Sequence, residues 1–501
     1  MKNSLFYPAW VASLTLIQGA TAQLDDFHHH DEDRFRNEFH PDGDFRRSAR
    51  IADDDFHQNL RETEHHETAP RSSIANFPAP INDSDFHHNG RPPFEKVLLG
   101  RLLFFDNILS GNRNISCATC HHPRTATSDA LSLGIGEGGE GIGLQRSLGY
   151  GSDAVEERIP RNSPALFNLG AREYTVLFHD GRVAKNRSEA SGFKSPAGSQ
   201  LPKGLENALA AQAMFPVTSA AEMAGQKGEN PIANAAAAEK FAGQGGVWDL
   251  LADRIREIPE YAERFHDAFP TEIRSGSDIR FVHVANAIAA YETVAFRADE
   301  SPFDEYLRGR DSLSAAEIRG MDLFFGRANC ASCHSGDFLT DHEFHAIGMP
   351  QIGPGKGDGY GGHDDFGREN ASKSASDRYK FRTPALRNVA LTGPWGHSGA
   401  FTTLEEVVDH HADPGQSLRA FNPNSMVLPS RSDLDALDLL AFKNSSSRNS
   451  LETHNVLPRK ILTKAEIRDL VAFLEALTDR YSIDLRAEIP ERVPSGLPVD
   501  R

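Results

Sequence analysis

Cysteine is scarce in this chain: only 4 of its 501 residues are cysteine. A secreted scaffold held together by disulfide bonds is excluded at this density. Basic residues are also in the minority, with 53 Lys and Arg against 71 Asp and Glu, and the formal net charge of -18 argues against a nucleic-acid-binding protein. The mean hydropathy of -0.48 argues against a polytopic membrane protein. The length allows two or three domains of ordinary size.

The first residues are typical of a secretory signal peptide. Lys2 provides a short basic start, residues 5–17 are mostly apolar, and Ala20-Thr21-Ala22 offers a small-residue cleavage site. An uncleaved membrane anchor is the alternative, but Pro8 and Gln18 leave the apolar run short and broken. We predict a signal peptide over residues 1–22 and a periplasmic or otherwise exported protein, with no membrane span after cleavage.

Residues 23–85 differ from the rest in composition, with few aliphatic side chains and a dense mixture of Asp, Glu, Arg and His. Such a segment buries too little apolar surface to offset its ordering entropy, so we predict a disordered, acidic, His-rich tail. The histidines between His28 and His66 could bind a divalent metal. Their irregular spacing favours a solvated charged tail without a ligand.

The four cysteines form two Cys-x-x-Cys-His motifs, Cys117-Ala-Thr-Cys120-His121 and Cys330-Ala-Ser-Cys333-His334. The two thiols of such a motif can bond to the vinyl groups of a heme, and the adjacent imidazole can bind its iron. A zinc site shared by the four cysteines or a redox dithiol is the alternative. Neither explains a histidine at the same offset twice, so we predict two covalently attached c-type hemes.

The surroundings of the two motifs repeat, which indicates an internal duplication. Leu103-Phe104-Phe105 precedes the first motif and Leu323-Phe324-Phe325 the second. Downstream, Arg161-Asn162-Ser163-Pro164-Ala165-Leu166 corresponds to Arg382-Thr383-Pro384-Ala385-Leu386. We therefore predict that each half forms one heme-binding module.

The modules are predicted to be mainly helical. A capping box at Ser314 and Glu317 begins one helix, and a similar pair at Thr463 and Glu466 begins another over residues 463–477. Residues 278–296 also have helical periodicity. The Gly- and Ala-rich stretches 224–246 and 353–367 are predicted to be loops or insertions.

Together these residues resemble the bacterial diheme cytochrome c peroxidases and the related MauG-like diheme enzymes, over about residues 92–480. The resemblance rests on residues 99–106 with the first heme motif, on Arg161-Asn162-Ser163-Pro164, Asp180-Gly181-Arg182 and Glu222-Met223, and on residues 381–389. It implies a mainly α fold of two cytochrome c-like heme domains with long loops. An N-terminal peroxidatic domain would span residues 86–300 and a C-terminal electron-transfer domain residues 301–490.

The resemblance also implies a cytochrome-c peroxidase-type oxidoreductase. Hydrogen peroxide would be reduced to water at the N-terminal heme, with electrons entering through the C-terminal heme from a small donor protein such as a cytochrome c or cupredoxin. The alternative is a MauG-like, peroxide-dependent oxidation of residues on a protein substrate. A diheme electron carrier is disfavoured, because a pure carrier needs no distal acid/base.

By position, Glu222 matches the distal acid/base of the family and Gln212 a distal polar partner. A carboxylate above the iron can carry the proton that O–O cleavage requires. Asn162, Thr392 and Pro394 match positions that hold a calcium ion through oxygen atoms, although these residues could also simply shape turns.

The chain departs from the family pattern at three places. Residues 131–137, where many members carry a histidine that ligates the resting N-terminal iron, contain none, so we expect an open distal site there. His411 falls on the second ligand position of the C-terminal heme, with His410 as the neighbouring alternative or with both facing solvent. His179 replaces the tryptophan that usually lies between the hemes, and Trp395 could substitute for it.

Overall fold

The structure is a computed structural model that describes residues 77–501, apart from the side chain of Ser152. The predicted signal peptide and the seven histidines of the predicted tail lie outside the described residues. The described chain is mostly helical, which confirms the mainly α fold class. No helix in this part of the chain is long and apolar enough to cross a membrane.

The helices are α1 (Phe94–Phe105), α2 (Cys117–Cys120), α3 (Ala208–Ala213), α4 (Pro231–Ala237), α5 (Val247–Arg256), α6 (Pro259–Ala268), α7 (Phe281–Ala295), α8 (Pro302–Leu307), α9 (Ala315–Phe325), α10 (Arg368–Ser372), α11 (Leu404–Ala412), α12 (Pro414–Ala420), α13 (Ser432–Asp438), α14 (Leu440–Lys443), α15 (Ser445–His454) and α16 (Lys464–Glu475). The strands β1 (Val176–Leu177), β2 (Val183–Lys185) and β3 (Phe193–Lys194) form one antiparallel sheet in that order. The strands β4 (Phe344–His345) and β5 (Phe381–Arg382) form a second antiparallel pair.

Each half is built on a close helix pair that meets at a glycine. In the first half, Gly100 of α1 lies directly against the backbone carbonyl of Ala287 in α7. In the second half, Gly320 of α9 lies in the same way against the carbonyl of Asp469 in α16. A β-carbon at either position would overlap the facing carbonyl, so only glycine permits this approach. Each glycine stands three residues before the first residue of a Leu-Phe-Phe motif. The repeated sequence therefore gives the same close helix packing in both halves.

Aromatic rings fill the core beside each pair. In the first half the ring of Phe104 lies 5.4 Å from that of Tyr291 and 5.5 Å from that of Phe296, measured between centroids. In the second half the rings of Phe324 and Phe473 are 5.2 Å apart. These separations are typical of stabilising aromatic pairs. The Phe residues before each heme motif therefore anchor the motif to a packed core.

The predicted capping boxes begin their helices. The Glu317 amide donates to Ser314 Oγ at 3.3 Å, while the Ser314 amide donates to Glu317 Oε2 at 2.6 Å. At α16 the Glu466 amide donates to Thr463 Oγ1 at 3.3 Å, and the Thr463 amide returns a bond of 2.8 Å to Glu466 Oε2. These bonds satisfy backbone donors that the first turn leaves free.

The prediction of a loop over residues 224–246 is wrong in its middle, where α4 forms. Asn230 caps this helix, since its side-chain oxygen accepts a hydrogen bond of 2.8 Å from the Ala233 amide. Pro231 follows at the first helical position, where its fixed φ suits a helix and its missing N–H is not needed. The helix has only seven residues, too few for a clear periodic signal.

Ordered contacts extend beyond both ends of the two predicted heme domains. At the N-terminal side, the ring of Phe77 packs 5.2 Å from that of Phe325, and Ile81 is buried. At the C-terminal side, the segment of residues 483–501 returns to the first half, where Ser495 Oγ donates to Asp106 Oδ1 at 2.6 Å. We call residues 483–501 the C-terminal segment.

Candidate active site

Two imidazoles face each other beside the second Cys-x-x-Cys-His motif. The rings of His334 and His411 have centroids 6.4 Å apart. Their Nδ1 atoms donate to backbone carbonyls, that of His334 to Leu339 O at 3.2 Å and that of His411 to Val407 O at 2.8 Å. Such bonds commonly orient a metal-binding histidine and leave Nε2 free. With a nitrogen–metal bond of about 2 Å on either side, the separation suits two imidazoles bound to opposite sides of one metal ion.

Burial keeps both of these imidazoles in the neutral form that binds a metal. It lowers the pKa of His334 to about 4, with the neighbouring His411 adding to the shift. It also lowers the pKa of His411. His410 points elsewhere: its Nε2 donates to Ile347 O at 2.9 Å, and its ring packs 5.1 Å from that of Phe401.

A cavity of about 300 Å³ surrounds the second motif. Cys330, Cys333, His334 and His411 line it, and so do Leu470 and Leu474 of α16, the face that closes this pocket. The cavity reaches residues of the first half, including Gln212. The side-chain oxygen of Gln212 is buried and has no hydrogen-bond partner among the described residues.

The first motif forms the one-turn helix α2. His121 donates from Nδ1 to Thr127 O at 3.0 Å, which leaves Nε2 free as in the second motif. Burial raises the pKa of both the Cys117 and the Cys120 thiols to about 12. With no bound group these thiols are therefore protonated at neutral pH, whereas a reactive dithiol needs the thiolate.

The four cysteines are not gathered at one point. Within residues 77–501, the one group of three His, Cys, Asp or Glu side chains with ligand atoms within 4.8 Å of one another is Cys333, Asp341 and His345. The zinc alternative therefore has no support. The protonated thiols and oriented imidazoles fit two heme attachment sites.

Glu222 lies in a short π-helical turn, Ala220–Ala224, and Met223 O of this turn accepts a hydrogen bond of 2.7 Å from the Gly111 amide. Its backbone packs on Gly136, and the Glu137 amide donates to Ala221 O at 3.1 Å. Burial raises the pKa of Glu222, and the positive charges of Arg182 and Lys356 oppose part of this shift. Burial is the main cause of the raised pKa of Cys120, and the charge of Glu222 adds to it.

Several known proteins have sequences similar to this one. A family model described as di-haem cytochrome c peroxidase matches residues 94–312. The methylamine utilization protein MauG of Methylorubrum extorquens is 31% identical over 351 residues, which cover 70% of this chain and 77% of that protein. The cytochrome c551 peroxidase of Pseudomonas aeruginosa is 30% identical over 331 residues, which cover 66% of this chain and 75% of that protein.

Comparison with solved structures agrees with the sequence similarities. A solved MauG-like protein associated with microbial copper homeostasis has 26% sequence identity and a TM-score of 0.53, and the match covers 84% of this chain and 99% of that one. The chain belongs to the di-haem cytochrome c peroxidase family. Membership confirms the resemblance seen in the motifs and gives the protein two c-type hemes and a peroxidase-type oxidoreductase activity.

At the position where the family usually has a tryptophan between the hemes, this protein has His179, and other aromatic side chains lie near it. His179 Nε2 donates to Asn162 O at 3.1 Å, and burial lowers the pKa of His179 to about 4. Nearby, the rings of Phe381 and His397 stack 3.7 Å apart at 12°. Trp395 lines the same cavity and donates from Nε1 to Val389 O at 2.9 Å.

A buried ion cluster that the sequence did not reveal joins the two halves. Arg161 donates to Asp180 Oδ2 at 2.7 Å and forms a two-bond pair with Asp365, at 2.7 and 2.8 Å. All three side chains are almost fully buried, and the guanidinium holds the pKa of both carboxyls below the ordinary range. Asp365 lies in the Gly-rich stretch 353–367, so the predicted insertion serves as a contact between halves.

The residues that match a calcium site share one cavity. Asn162, Thr392 and Pro394 all line the cavity of the second motif. The Asn162 side chain donates from Nδ2 to Leu131 O at 2.8 Å, which turns its Oδ1 elsewhere. Thr392 donates from Oγ1 to Val389 O at 3.2 Å.

Proposed function

We propose that this protein reduces hydrogen peroxide to water at the N-terminal heme, with electrons entering through the C-terminal heme. The facing pair His334 and His411 carries the proposal. At a 6.4 Å ring separation these two imidazoles would hold a heme iron between them, which would leave no place there for peroxide. We therefore assign the reaction to the first site, with the carboxyl of Glu222 as its acid–base group, as the resemblance implies.

Each residue of the first site has a task in this reaction. The hemes, when bound, would supply the iron chemistry and pass on the two electrons that come from the donor protein. Glu222 takes the proton from one peroxide oxygen and delivers it to the other, so that the O–O bond breaks with water as the leaving group. Two further protons complete the formation of two water molecules. We also propose that Gln212 orients peroxide through its amide, whose oxygen has no partner among the described residues and whose side chain lines the cavity that reaches from the second motif into the first half.

The raised pKa of Glu222 suits this task. A carboxyl with an ordinary pKa is a weak acid–base catalyst near neutral pH because it releases its proton too readily. Burial moves the pKa upward, while Arg182 and Lys356 keep the carboxylate accessible. The group can therefore both accept and return a proton during one turnover.

We also propose that the first heme rests with an open distal position. Residues 131–137 contain no histidine, and His122 is held away, since its Nε2 donates to Asp500 O at 3.3 Å and its Nδ1 accepts from the Arg124 amide at 3.1 Å. The oxidised holoprotein should then show one high-spin and one low-spin heme in its electron paramagnetic resonance spectrum. Two low-spin signals would refute the open site.

A MauG-like oxidation of a protein substrate is the second candidate function. The open first site and the similarity to MauG favour it. His411 in place of the MauG tyrosine and His179 in place of the interheme tryptophan argue against it. A steady-state assay with reduced cytochrome c and peroxide separates the two. Absent turnover, before and after half-reduction, together with bleaching of the first heme by peroxide would overturn the peroxidase.

Two further properties belong to this proposal. We propose a calcium ion held by Asn162, Thr392 and Pro394, because the three residues that match the family's calcium positions line one cavity. We also propose export to the periplasm or beyond, on the basis of the signal peptide pattern in residues 1–22.

A further inference from the structure

The turn that carries Glu222 has few hydrogen bonds of its own. It spans Ala220–Ala224, and we call it the glutamate turn. The amides of its last three residues all donate to a single carbonyl, that of Ser219, at 3.2, 3.1 and 2.9 Å. An isolated helical turn of this length is not stable in water, because so few hydrogen bonds do not offset the cost of ordering the backbone. Contacts from outside must therefore fix the direction of the Glu222 side chain.

In the described part of the chain, three donors outside the glutamate turn bind its carbonyls. Two of them are backbone amides, that of Gly111 at 2.7 Å and that of Glu137 at 3.1 Å. The third is a side chain, since Asn230 Nδ2 donates to Ala224 O at 3.0 Å. A substitution can remove this third bond while the two backbone bonds remain.

The orientation of the Asn230 amide is fixed on both sides. Its Oδ1 accepts from the Ala233 amide at 2.8 Å, which caps α4. Its Nδ2 therefore faces the other way, where it donates to Ala224 O and, at 2.8 Å, to Asn112 Oδ1. An amide N–H can only donate and a carbonyl oxygen can only accept, so one orientation of Asn230 satisfies all of these partners.

Asn112 continues the link toward the first heme motif. Its Oδ1 accepts from Asn230, so its Nδ2 faces two carboxylates, Glu137 Oε1 at 2.9 Å and Glu229 Oε2 at 2.7 Å. Along the chain, Asn112 lies five residues before Cys117. The hydrogen bond between the two asparagines therefore joins the glutamate turn to the segment that leads into the first heme motif.

The segment of residues 110–116 is itself held in place. Ser110 is buried, and its Oγ accepts from two amides of the segment at 3.1 and 3.3 Å. Arg254 donates to the carbonyls of Ser110 and Gly111 at 2.6 and 2.8 Å. A β-carbon on Gly111 would overlap Ala224 O, so this segment also packs directly on the glutamate turn. It gives the turn a fixed support.

We propose that Asn230 and Asn112 are positioning residues that hold Glu222 in its working place for the reaction at the first heme. They act through the glutamate turn and not on peroxide itself. The proposal rests on the proposed function, because it needs Glu222 as the acid–base group. A misplacement of about 1 Å can cost about a hundredfold in rate, so the loss of one such hydrogen bond should be measurable.

The main test variant is Asn230→Asp. Aspartate keeps the oxygen that caps α4 but has no N–H to donate, so it loses the bonds to Ala224 O and Asn112 Oδ1. Asn444→Asp is the matched control, because Asn444 caps α15 in the same way, by accepting from the Ser446 amide at 2.9 Å. Both substitutions place one negative charge at a helix N-terminus, where it is stabilising.

The measurement is the rate constant of the holoprotein with peroxide, obtained by rapid mixing, in the wild-type and in the Glu222→Gln background. We expect Asn230→Asp to lower it by a factor of about 10–100 in the wild-type background. In the Glu222→Gln background it should have no further effect, because residues that act as a unit are not additive. Asn444→Asp should change neither value. Asn112→Leu leaves the α4 cap in place and should repeat the pattern of Asn230→Asp, even if Asn230→Asp is less stable.

The other outcomes have separate meanings. Equal losses in the two backgrounds would show a general structural effect and overturn the positioning role, and so would a wild-type rate in both variants. Heme content should stay at two per chain, and loss of the first heme in both variants would show that the asparagines support heme attachment instead. If Glu222→Gln alone reacts at the wild-type rate, the proposed function is wrong. If Glu222→Gln is slow and Asn230→Asp is additive with it, only the positioning role fails.

Discussion

Replacing Glu222 with glutamine tests the central step of the mechanism. Glutamine keeps the shape of the side chain and removes only the exchangeable carboxyl proton. The backbone of residue 222 packs on Gly136, so the turn and the heme attachment should persist. Any loss of activity would then report proton transfer rather than a change in packing.

The expected loss follows from the role of the carboxyl. A positioned acid–base group contributes about 10²–10⁴-fold to a rate. At about 1.36 kcal/mol for each factor of ten, Glu222→Gln should raise the activation free energy by about 2.7–5.4 kcal/mol. Arg182 and Lys356, whose charges act on Glu222, remain in the variant, so we expect a loss inside this range and not beyond it.

The pH dependence gives a second, independent readout. Burial raises the pKa of Glu222 above its ordinary value of 4.5. Because the carboxylate must accept a proton first, turnover in the wild type should fall as the pH drops through this raised pKa. Glu222→Gln should remove that limb of the profile. A raised folded-state pKa also means that ionised Glu222 costs stability as pH rises, so the variant should not melt earlier at pH 7.

The assay is steady-state peroxide reduction with saturating reduced cytochrome c between pH 5 and 8, together with rapid-mixing measurement of the peroxide reaction. Glu137→Gln is the matched control, since Glu137 is also buried with a raised pKa, but Asn112 and Asn114 bind its carboxylate at 2.9 and 2.7 Å. The control should keep the pH limb. If Glu222→Gln kept wild-type turnover and pH profile, Glu222 would have no place in the mechanism.

Three further results are expected. His411→Met should raise the reduction potential of the second heme by on the order of 0.1 V, within the range of about 0.8 V that axial ligands span. His410→Phe should leave the potential unchanged. Redox titration measures both potentials, and an equal effect of the two variants would show that His411 is not the ligand. Arg161→Met should lower the free energy of unfolding by about 3–5 kcal/mol in urea, because it leaves the buried carboxylate of Asp365 without its ion pair, while Asp180 keeps only Arg182. Arg319→Met, at an exposed pair, should cost only about 0–1 kcal/mol, and similar values for both would refute the buried-pair argument. Chelation should lower peroxide turnover reversibly, with recovery on adding calcium but not magnesium, and turnover that is unaffected would count against the calcium site.

The sequence predicted those parts of the chemistry that depend on residues close together in the chain. Each heme motif spans five consecutive residues, so the spacing within it is enough to bring two thiols and an imidazole together. The helices α9 and α16 begin where their capping boxes predicted, because a cap acts on the backbone three residues away. The short helix α4 escaped prediction, since seven residues give little periodic signal.

Contacts between distant residues needed the tertiary structure. Sequence order leaves His410 and His411 equivalent, and only the direction of each side chain on α11 separates the one that faces His334 from the one bound to Ile347 O. Nothing in a Gly-rich stretch indicates that Asp365 pairs with Arg161, which lies 204 residues earlier in the chain. Long-range partners of this kind are set by how the halves pack.

The sequence by itself determined that this protein has two heme attachment sites in two duplicated, helical halves, because covalent attachment and helix starts depend on local spacing. The tertiary structure alone decided which attachment turn is open to a partner. Thr119 of the first turn and Ser332 of the second are similar small polar residues, yet Asp500 of the C-terminal segment covers the first and nothing in the described chain buries the second. The two turns differ because the C-terminal segment folds back onto the first one, where Asp500 meets a residue 381 positions earlier in the chain.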